Sequence, residues 1–156
     1  MKKLTPVKQY LLGFSFVFIA LLIATVVMFY SAIKPRKDAE REAVSVAQNY
    51  AKLTKVTSVD VYNGSSAYYS VYGSDTNGKS KVVVISKKNQ KIYIFDLSSG
   101  ITQKQAKASA KQEGAKTISR VVFGLHDGKP IWEVKAENGY YLIDFETGEL
   151  VKREGI

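Results

Sequence analysis

The longest hydrophobic stretch of the chain runs from Leu11 to Ile33 and contains no charged residue. A helix needs about 20 apolar residues to cross the hydrocarbon core of a bilayer, because each residue advances it by about 1.5 Å. Inside lipid a helix satisfies its own backbone hydrogen bonds. The pattern therefore predicts a single transmembrane anchor over residues 11–33, preceded by a short tail over residues 1–10.

A cleaved secretory signal also begins with positive charge followed by an apolar run, so the two possibilities have to be separated. The apolar core of a signal is usually about 7–15 residues long and ends at a small-x-small cleavage site. Here the run is longer, and its end at residues 29–33 (FYSAI) lacks an Ala-x-Ala pattern. The sequence favours an uncleaved anchor, and Pro35 is expected to end or kink its helix.

The orientation of the anchor depends on nearly balanced flanking charges. Three lysines precede the apolar run, and Lys34, Arg36, Lys37 and Arg41 follow it. The positive-inside rule alone does not choose between these flanks. The tail is too short to be a domain, and long domains are translocated largely regardless of charge. We therefore expect the N-terminus in the cytoplasm and an extracytoplasmic domain held at the cell membrane.

Beyond the anchor, the hydrophobic period is first helical and then alternates. Apolar and small residues recur at helical spacing between Asp38 and Lys55, which predicts an amphipathic helix. Alternating residues then predict four short strands up to Phe95, separated by turns such as Asn63-Gly64 and Asn77-Gly78.

The same order of elements then begins again. Thr102 and Gln105 have the spacing of a capping box, and Ala106 and Ala110 line the helix that this box predicts. Four more strands follow, and their turns include Asp127-Gly128 and Asn138-Gly139. Corresponding turns of the two sets are separated by nearly the same interval, which indicates a duplication. The predicted fold class is α+β, with an anchor followed by two tandem helix-plus-antiparallel-sheet units at residues 36–98 and 99–156.

The composition of the chain limits the disulfides, metal sites and partners that it can have. The chain has no cysteine and one histidine, which excludes disulfides, thiolate metal sites and a histidine metal cluster. No metal or cofactor is predicted. Lysine and arginine outnumber aspartate and glutamate by 23 to 14, which would suit an anionic polymer surface. The lysines that would form it are Lys79, Lys81, Lys87, Lys88 and Lys91. No nucleic-acid-binding module is recognisable, so nucleic acid is not an expected partner.

Three candidate catalytic features are weak, so we expect no enzymatic activity and assign no catalytic residue. Ser31 and Lys34 have Ser-x-x-Lys spacing at the membrane boundary, but no further motif of penicillin-recognising enzymes follows. Asp144 and Glu146 share a strand face, yet Asp144 is better placed to cap the turn before Thr147-Gly148. His126 adjoins a turn, is expected to be exposed, and has no nucleophile beside it.

Aromatic residues supply the candidate interaction surface. Most tyrosines in strands serve cross-strand pairing or the core. Adjacent strand residues point to opposite faces of a sheet. At least one member of each of the adjacent pairs Tyr68-Tyr69 and Tyr140-Tyr141 is therefore expected on the less buried side. Aromatic residues there would be good anchors for a protein partner. The candidate residues are Tyr68, Tyr69, Trp132, Tyr140 and Tyr141.

The second unit also carries a recognisable signature. Residues 132–134 (WEV) and 141–150 (YLIDFETGEL) resemble the W-x-V and V-D-x-x-T-G-x-apolar signature of PepSY-type domains, and Ile101-Thr102 with Ala106 and Ala110 is similar to that family's helix. With one anchor and two units, the chain resembles the TseB-like cell-wall elongation regulators, with PepSY-like or cystatin-like units. The first unit departs from the signature, since it has no equivalent tryptophan and residues 86–89 (SKKN) replace residues 144–147 (DFET).

This resemblance implies a non-catalytic membrane regulator of peptidoglycan elongation that binds a class B penicillin-binding protein. Since PepSY-type domains are also associated with exported peptidases, an inhibitor or folding assistant of such an enzyme is an alternative. Direct binding of anionic wall polymer through the lysines is a third possibility.

Overall fold

The computed structural model describes residues 5–155 and divides between Ala39 and Glu40 into two units. The basic residues Lys2 and Lys3 lie outside the described residues. A single helix, α1, runs from Pro6 to Ala51. Its apolar part is exposed and is long and apolar enough to cross a membrane. Of the two predicted effects of Pro35, an end or a kink of the helix, the first does not occur, because Pro35 lies within α1.

The C-terminal end of α1 also differs from the predicted boundary at Lys55. The helix ends at Ala51, and Lys52 adopts the left-handed conformation with φ of 55°, which stops helical hydrogen bonding and turns the chain into a strand. Tyr50, which the helical period assigned to the apolar face, is 67 % exposed. Ala43 and Ala47 from the same period are buried, as predicted.

The first sheet is an antiparallel meander whose strands pair in chain order. It contains β1 (Leu53–Asn63), β2 (Ala67–Asp75), β3 (Ser80–Ser86) and β4 (Ile92–Asp96). A short 3₁₀ helix at Leu97–Ser99 then leads to the second set of elements.

The second set repeats this arrangement. Helix α2 spans Gln103–Gln112, and its predicted capping box is confirmed by reciprocal hydrogen bonds between Thr102 and Gln105. The second sheet is again a meander in chain order. It contains β5 (Ile118–His126), β6 (Lys129–Ala136), β7 (Gly139–Asp144) and β8 (Leu150–Glu154). The predicted α+β class, with an N-terminal apolar helix and two antiparallel sheets, is confirmed.

Each sheet has a helix on the same face, and a larger core joins the two sheets. Ala43, Ala47 and Ala51 of α1 pack on the first sheet beside Val71 and Val83. In the second sheet, the helix-facing side packs on Ala106 and Ala110 of α2. The opposite face of the first sheet contributes Val82 and Val84 to that same core. The first sheet is therefore covered on both faces.

Side chains of β2 complete the open backbone edge of β5. The Ser70 hydroxyl donates to the Phe123 carbonyl oxygen at 2.7 Å, and the Phe123 N–H donates to the Tyr72 hydroxyl at 2.9 Å. The Gln103 side-chain amide donates to the Val121 carbonyl oxygen at 3.1 Å. An edge strand normally presents unpaired backbone groups, so these bonds both seal the edge and fix the two sheets together.

The turns after β3 and β7 establish which positions of the two sheets correspond. The Gln90 N–H donates to the Ser86 carbonyl at 3.0 Å, and the Gly148 N–H donates to the Asp144 carbonyl at the same distance. Gln90 and Gly148 both have positive φ, at 54° and 79°. Ser86 and Asp144 are therefore equivalent ends of equivalent strands.

This alignment identifies the counterpart of the signature tryptophan. Ile85, one residue before Ser86, pairs with Tyr69, and Ile143, one residue before Asp144, pairs with Trp132. Tyr69 is thus the register equivalent of Trp132 in the first sheet. The aromatic position is retained, although the sequence alone shows no tryptophan there.

Candidate functional site

None of the weak catalytic features lies in a catalytic arrangement. Ser31 and Lys34 lie on the exposed surface of α1. Asp144 caps its turn as predicted, since its carboxylate accepts from the Glu146 and Thr147 N–H groups at 2.8 Å. His126 is half-buried rather than exposed, because it packs into the end of β5 with its Nε2 3.6 Å from the Asp127 carboxylate. No group of acidic or histidine side chains among residues 5–155 is arranged to hold a metal ion.

The predicted aromatic surface is divided by the fold rather than brought together. Trp132 is 3 % exposed and Tyr141 is fully buried, so both belong to the main core. The expectation that they are surface anchors is therefore wrong for the protein as folded. Trp132 donates from its indole N–H to the Ile101 carbonyl oxygen at 2.9 Å, and its ring packs edge-on against Phe123.

The other three aromatic candidates lie in different places. Tyr69 is half-buried on the α1 face of the first sheet, where the Lys87 ammonium lies 4.4 Å from its ring centre. Tyr68 stacks on Tyr62. Tyr140 is half-buried on the face of the second sheet that points away from α2. Of the five candidates, Tyr140 directly lines a groove on an uncovered sheet face.

This groove, of about 670 Å³, lies between the β1–β2 hairpin and the face of the second sheet that no helix covers, called the uncovered face below. Its floor comes from alternate residues of β6 and β7, because residues two apart share a face of a strand. Glu133 and Lys135 of β6 lie there with Tyr140 and Leu142 of β7. The remaining lining residues are Val61, Tyr62, Asn63, Gly64, Ser65, Arg120, His126, Lys152 and Glu154.

The wall of the groove depends on a close approach between the two sheets. The ring of Tyr62 covers Gly124 of β5, where an added Cβ would lie 2.4 Å from the ring. Glycine is thus required at this point because no side chain fits between strand and ring. Tyr62 packs there against Val122, Ile131 and Leu142 in a small separate cluster.

Most charged groups along the groove are already paired. Arg120 donates to the Asp60 carboxylate at 3.1 Å and to the Val61 carbonyl at 3.3 Å. Lys152 and Glu154 form an ion pair at 2.6 Å. The Lys135 ammonium lies 5.5 Å from the ring centre of Tyr140. These contacts hold the rim of the groove in a defined arrangement.

Two polar groups of the groove differ from this pattern. The half-buried carboxylate of Glu133 has no hydrogen-bond or ion-pair partner among residues 5–155, and burial raises its pKa against the smaller, lowering effect of Arg120. The buried hydroxyl of Tyr62 likewise has no hydrogen-bond partner there, and burial raises its pKa to about 12. Buried polar groups are nearly always satisfied, so the Tyr62 hydroxyl calls for an explanation.

A second cavity, of about 500 Å³, opens beside the stacked rings of Tyr72 and Trp132. It is lined by Leu97, Ile101 and Gln103 among others and is more open than the groove. It contains no unpartnered charged group, and its aromatic rings serve the core. We therefore place the candidate binding site in the groove of the second sheet.

The sequence-based candidates did not include most groove residues. Arg120, Glu133, Lys152 and Glu154 were not singled out, although one signal was present. The alternation in residues 131–134 (IWEV) puts Glu133 on the face opposite Trp132. A buried tryptophan therefore implied that Glu133 points to the other side of the sheet.

The fold and the groove define an α+β protein with an N-terminal apolar helix, two tandem four-stranded antiparallel sheets and one uncovered, grooved sheet face. The solved structure of the YpmB protein from Bacillus subtilis is similar, with a TM-score of 0.68 and 26 % identity, and the match covers 75 % of this chain and 97 % of that one.

Sequence comparison agrees with this class. The profile of the family described as "Cell wall elongation regulator TseB-like domain" matches residues 42–86. The probable cell wall elongation regulator TseB of Bacillus subtilis (strain 168) is 29 % identical over 146 residues, which cover 89 % of this chain and 91 % of that protein. These similarities confirm the predicted resemblance to the TseB-like cell wall elongation regulators.

Proposed function

We propose that this protein is a non-catalytic, membrane-anchored regulator of cell-wall elongation that binds a class B penicillin-binding protein through the groove of the second sheet. The observation that carries the proposal is the similarity to a probable cell wall elongation regulator, together with one grooved sheet face that no helix covers. A sheet face left open beside a covered one is a natural place for a partner to bind.

The proposed role of α1 is to hold the binding face at the membrane. Residues 11–33 would span the bilayer once, with the N-terminus in the cytoplasm and residues 40–156 outside. The exposed apolar surface of α1 supports this role, because in water that surface would be unfavourably hydrated. Confinement to a membrane raises the effective concentration of the module beside membrane-bound synthases.

A role without catalysis fits the way the polar residues are used. Asp144 caps a turn, His126 faces Asp127, and Arg120 bridges β5 to β1. Each of these contacts stabilises the fold or the groove rim. A protein with this arrangement would regulate by binding.

The proposal is tested by photo-crosslinking in living cells. A photoreactive amino acid replaces Tyr140 at the groove, and in a matched control it replaces Tyr50, which is exposed on α1 outside the groove. We expect a class B penicillin-binding protein to be captured from position 140 and not from position 50. Equal capture from both positions, or no such capture from position 140, would contradict the proposal.

The other two functions predicted from the sequence are alternative outcomes of the same experiment. Capture of an exported peptidase from position 140 would indicate an inhibitor or folding assistant. Binding of anionic wall polymer receives less support from the contacts, since Lys81 pairs with Asp75 at 2.8 Å and Lys87 lies over the Tyr69 ring. Salt-sensitive retention on purified wall, without any protein captured, would favour the polymer instead.

A further inference from the structure

The groove floor corresponds to a face that is buried in the first sheet. By register, Ser70, Val82 and Val84 are the equivalents of Glu133, Tyr140 and Leu142. In the first sheet these three residues are fully buried, and they pack or hydrogen-bond against the second set of elements. The first sheet thus buries this face completely. The second sheet buries its counterpart only in part, because Leu142 packs on Tyr62 while Glu133 and Tyr140 remain half-buried in the groove.

The residues on the uncovered face differ in polarity from those on the covered face of the first sheet. They therefore suit a different binding partner from the apolar elements that cover the first sheet. A hydroxyl and a valine on the covered face are replaced by the carboxylate of Glu133 and the phenol ring of Tyr140. A second copy of this chain would offer the apolar elements that cover the first sheet, which would leave the Glu133 charge buried and unpaired. Such burial is unfavourable, so the change in polarity argues for a ligand that compensates a negative charge.

The two carboxylates that line the groove, Glu133 and Glu154, differ in whether they are paired. Arg120 is bound to Asp60, Lys152 to Glu154, and Lys135 lies against the Tyr140 ring. Glu133 has no such contact within residues 5–155, although it is half-buried between β5 and β7 strands. A cationic group entering the groove would therefore find one free carboxylate already partly removed from water.

The other walls of the groove fit the non-polar part of a long side chain. Val61, Leu142 and the Tyr140 ring lie around the approach to Glu133. Lysine and arginine pack their aliphatic stems on such surfaces while the charged head reaches a carboxylate. The buried Tyr62 hydroxyl, with Gly64 beside it, offers a further hydrogen bond if the hairpin adjusts on binding.

We propose that the groove binds a polypeptide segment of the partner through a lysine or arginine side chain that pairs with Glu133. This inference rests on the proposed function, which supplies the premise that the partner is a protein. It adds the chemistry by which that partner is recognised.

The test uses the full chain in detergent micelles and a display library of random linear peptides. We expect peptides selected by the wild-type protein to be enriched in Lys or Arg at one position. Glu133→Gln should weaken binding of a selected peptide by about tenfold or more, since hydrogen bonds to charged groups contribute about 1.5–3 kcal/mol. Glu133→Lys should instead select peptides enriched in Asp or Glu.

The matched control is Glu146→Gln, which removes an exposed carboxylate at the β7–β8 turn, outside the groove. This variant should select the same basic peptides with unchanged affinity. Fluorescence of Trp132, the single tryptophan, verifies that each variant is folded. Absence of basic enrichment in the wild type, or equal binding by the Glu133→Gln variant, would overturn the inference.

Crosslinking with and without Glu133→Gln separates this inference from the proposed function. If Tyr140-position capture of the penicillin-binding protein persists at full yield in the Glu133→Gln variant, the recognition chemistry is wrong and the function stands. If basic peptides bind in a Glu133-dependent way but the captured protein belongs to another class, the recognition chemistry stands and the proposed function fails.

Discussion

The two sheets have the same order of strands and the same helix-covered face, yet their opposite faces have different surroundings. In the first sheet that face carries Val82 and Val84, which are fully buried in the core shared with the second sheet. In the second sheet the equivalent positions are Tyr140, which is half-buried in an open groove, and Leu142, which is buried against the Tyr62 ring at the edge of that groove. A duplicated unit has thus used one copy of a face entirely for the core and left the other partly open, which is where we propose that a partner binds.

The comparison also explains why the two copies have diverged unevenly. Trp132 and its equivalent Tyr69 both face a helix, but Trp132 lies within the large core and Tyr69 lies near the edge beneath Lys87. The helix-facing side of the second sheet supplies much of the shared core, and the signature residues Trp132 and Tyr141 lie in it.

The largest expected difference between the two copies is at these equivalent aromatic positions. Trp132→Ala should lower the free energy of unfolding by about 3–5 kcal/mol, because it leaves a large cavity and removes the indole hydrogen bond. Tyr69→Ala should lower it by about 1–2 kcal/mol, since a half-buried ring loses less burial and one cation–π contact. Urea unfolding of the detergent-solubilised chain, followed by near-UV circular dichroism, measures both. Equal losses would show that the copies contribute equally to the core.

The next comparison concerns two tyrosines of the first sheet that face the second: Tyr62, which is buried, and Tyr72, which is partly buried. Tyr72→Phe should lower the free energy of unfolding by about 1–3 kcal/mol, because it leaves the Phe123 N–H without its acceptor. Tyr62→Phe should cause no loss, since the Tyr62 hydroxyl has no partner within residues 5–155. Urea unfolding monitored by Trp132 fluorescence distinguishes them. A comparable loss for Tyr62→Phe would mean that this hydroxyl is satisfied in the free protein.

A smaller effect is expected at the equivalent turns after β3 and β7. Gly148→Ala should destabilise the protein by about 1–2 kcal/mol, because its φ of 79° is unfavourable for a residue with a Cβ. Gln90→Gly should stabilise it by up to about 1 kcal/mol, because Gln90 already adopts the same left-handed conformation. In thermal unfolding, the midpoint should therefore fall for Gly148→Ala and rise for Gln90→Gly. Two destabilising substitutions would show that the Gln90 side chain compensates for its backbone conformation.

Local patterns predicted those parts of the fold that local chemistry determines. The capping box at Thr102, the tight turn at Asp127-Gly128 and the turn-capping role of Asp144 all depend on neighbouring residues, and each was found. The same patterns misplaced the end of α1, because the residue that adopts the left-handed conformation there is Lys52 and not a glycine. Helix boundaries without such signals depend on the packing that follows.

The candidate site was less predictable because it depends on how the two sheets pack. Alternation along β6 places Trp132 and Glu133 on opposite faces, but it does not say which face is covered. That depends on the bonds from Ser70 and Tyr72 to Phe123, which join residues far apart in the chain. The sequence therefore predicts surface anchors at Trp132 and Tyr141, which the fold buries, and it gives no reason to choose Glu133 on the opposite face.

The smallest expected effect concerns Glu133, and its sign bears directly on the comparison between a covered and an open face. Burial raises the pKa of the Glu133 carboxyl in the folded protein above its ordinary value of 4.5. The folded state therefore holds this proton more tightly than the unfolded state. This proton-linked contribution to stability is present below the ordinary pKa and is lost as the pH rises through the folded-state pKa.

Glu133→Gln, which stays neutral, should accordingly raise the thermal midpoint slightly at neutral pH and leave it unchanged near about pH 4. Glu146→Gln controls for the substitution itself and should show no such dependence. Trp132 fluorescence across this pH range provides the measurement. A lower midpoint for Glu133→Gln at neutral pH would mean that the carboxylate stabilises the free protein. The expected rise would mean that the carboxylate costs stability in the unbound protein, as is common for a residue retained for binding.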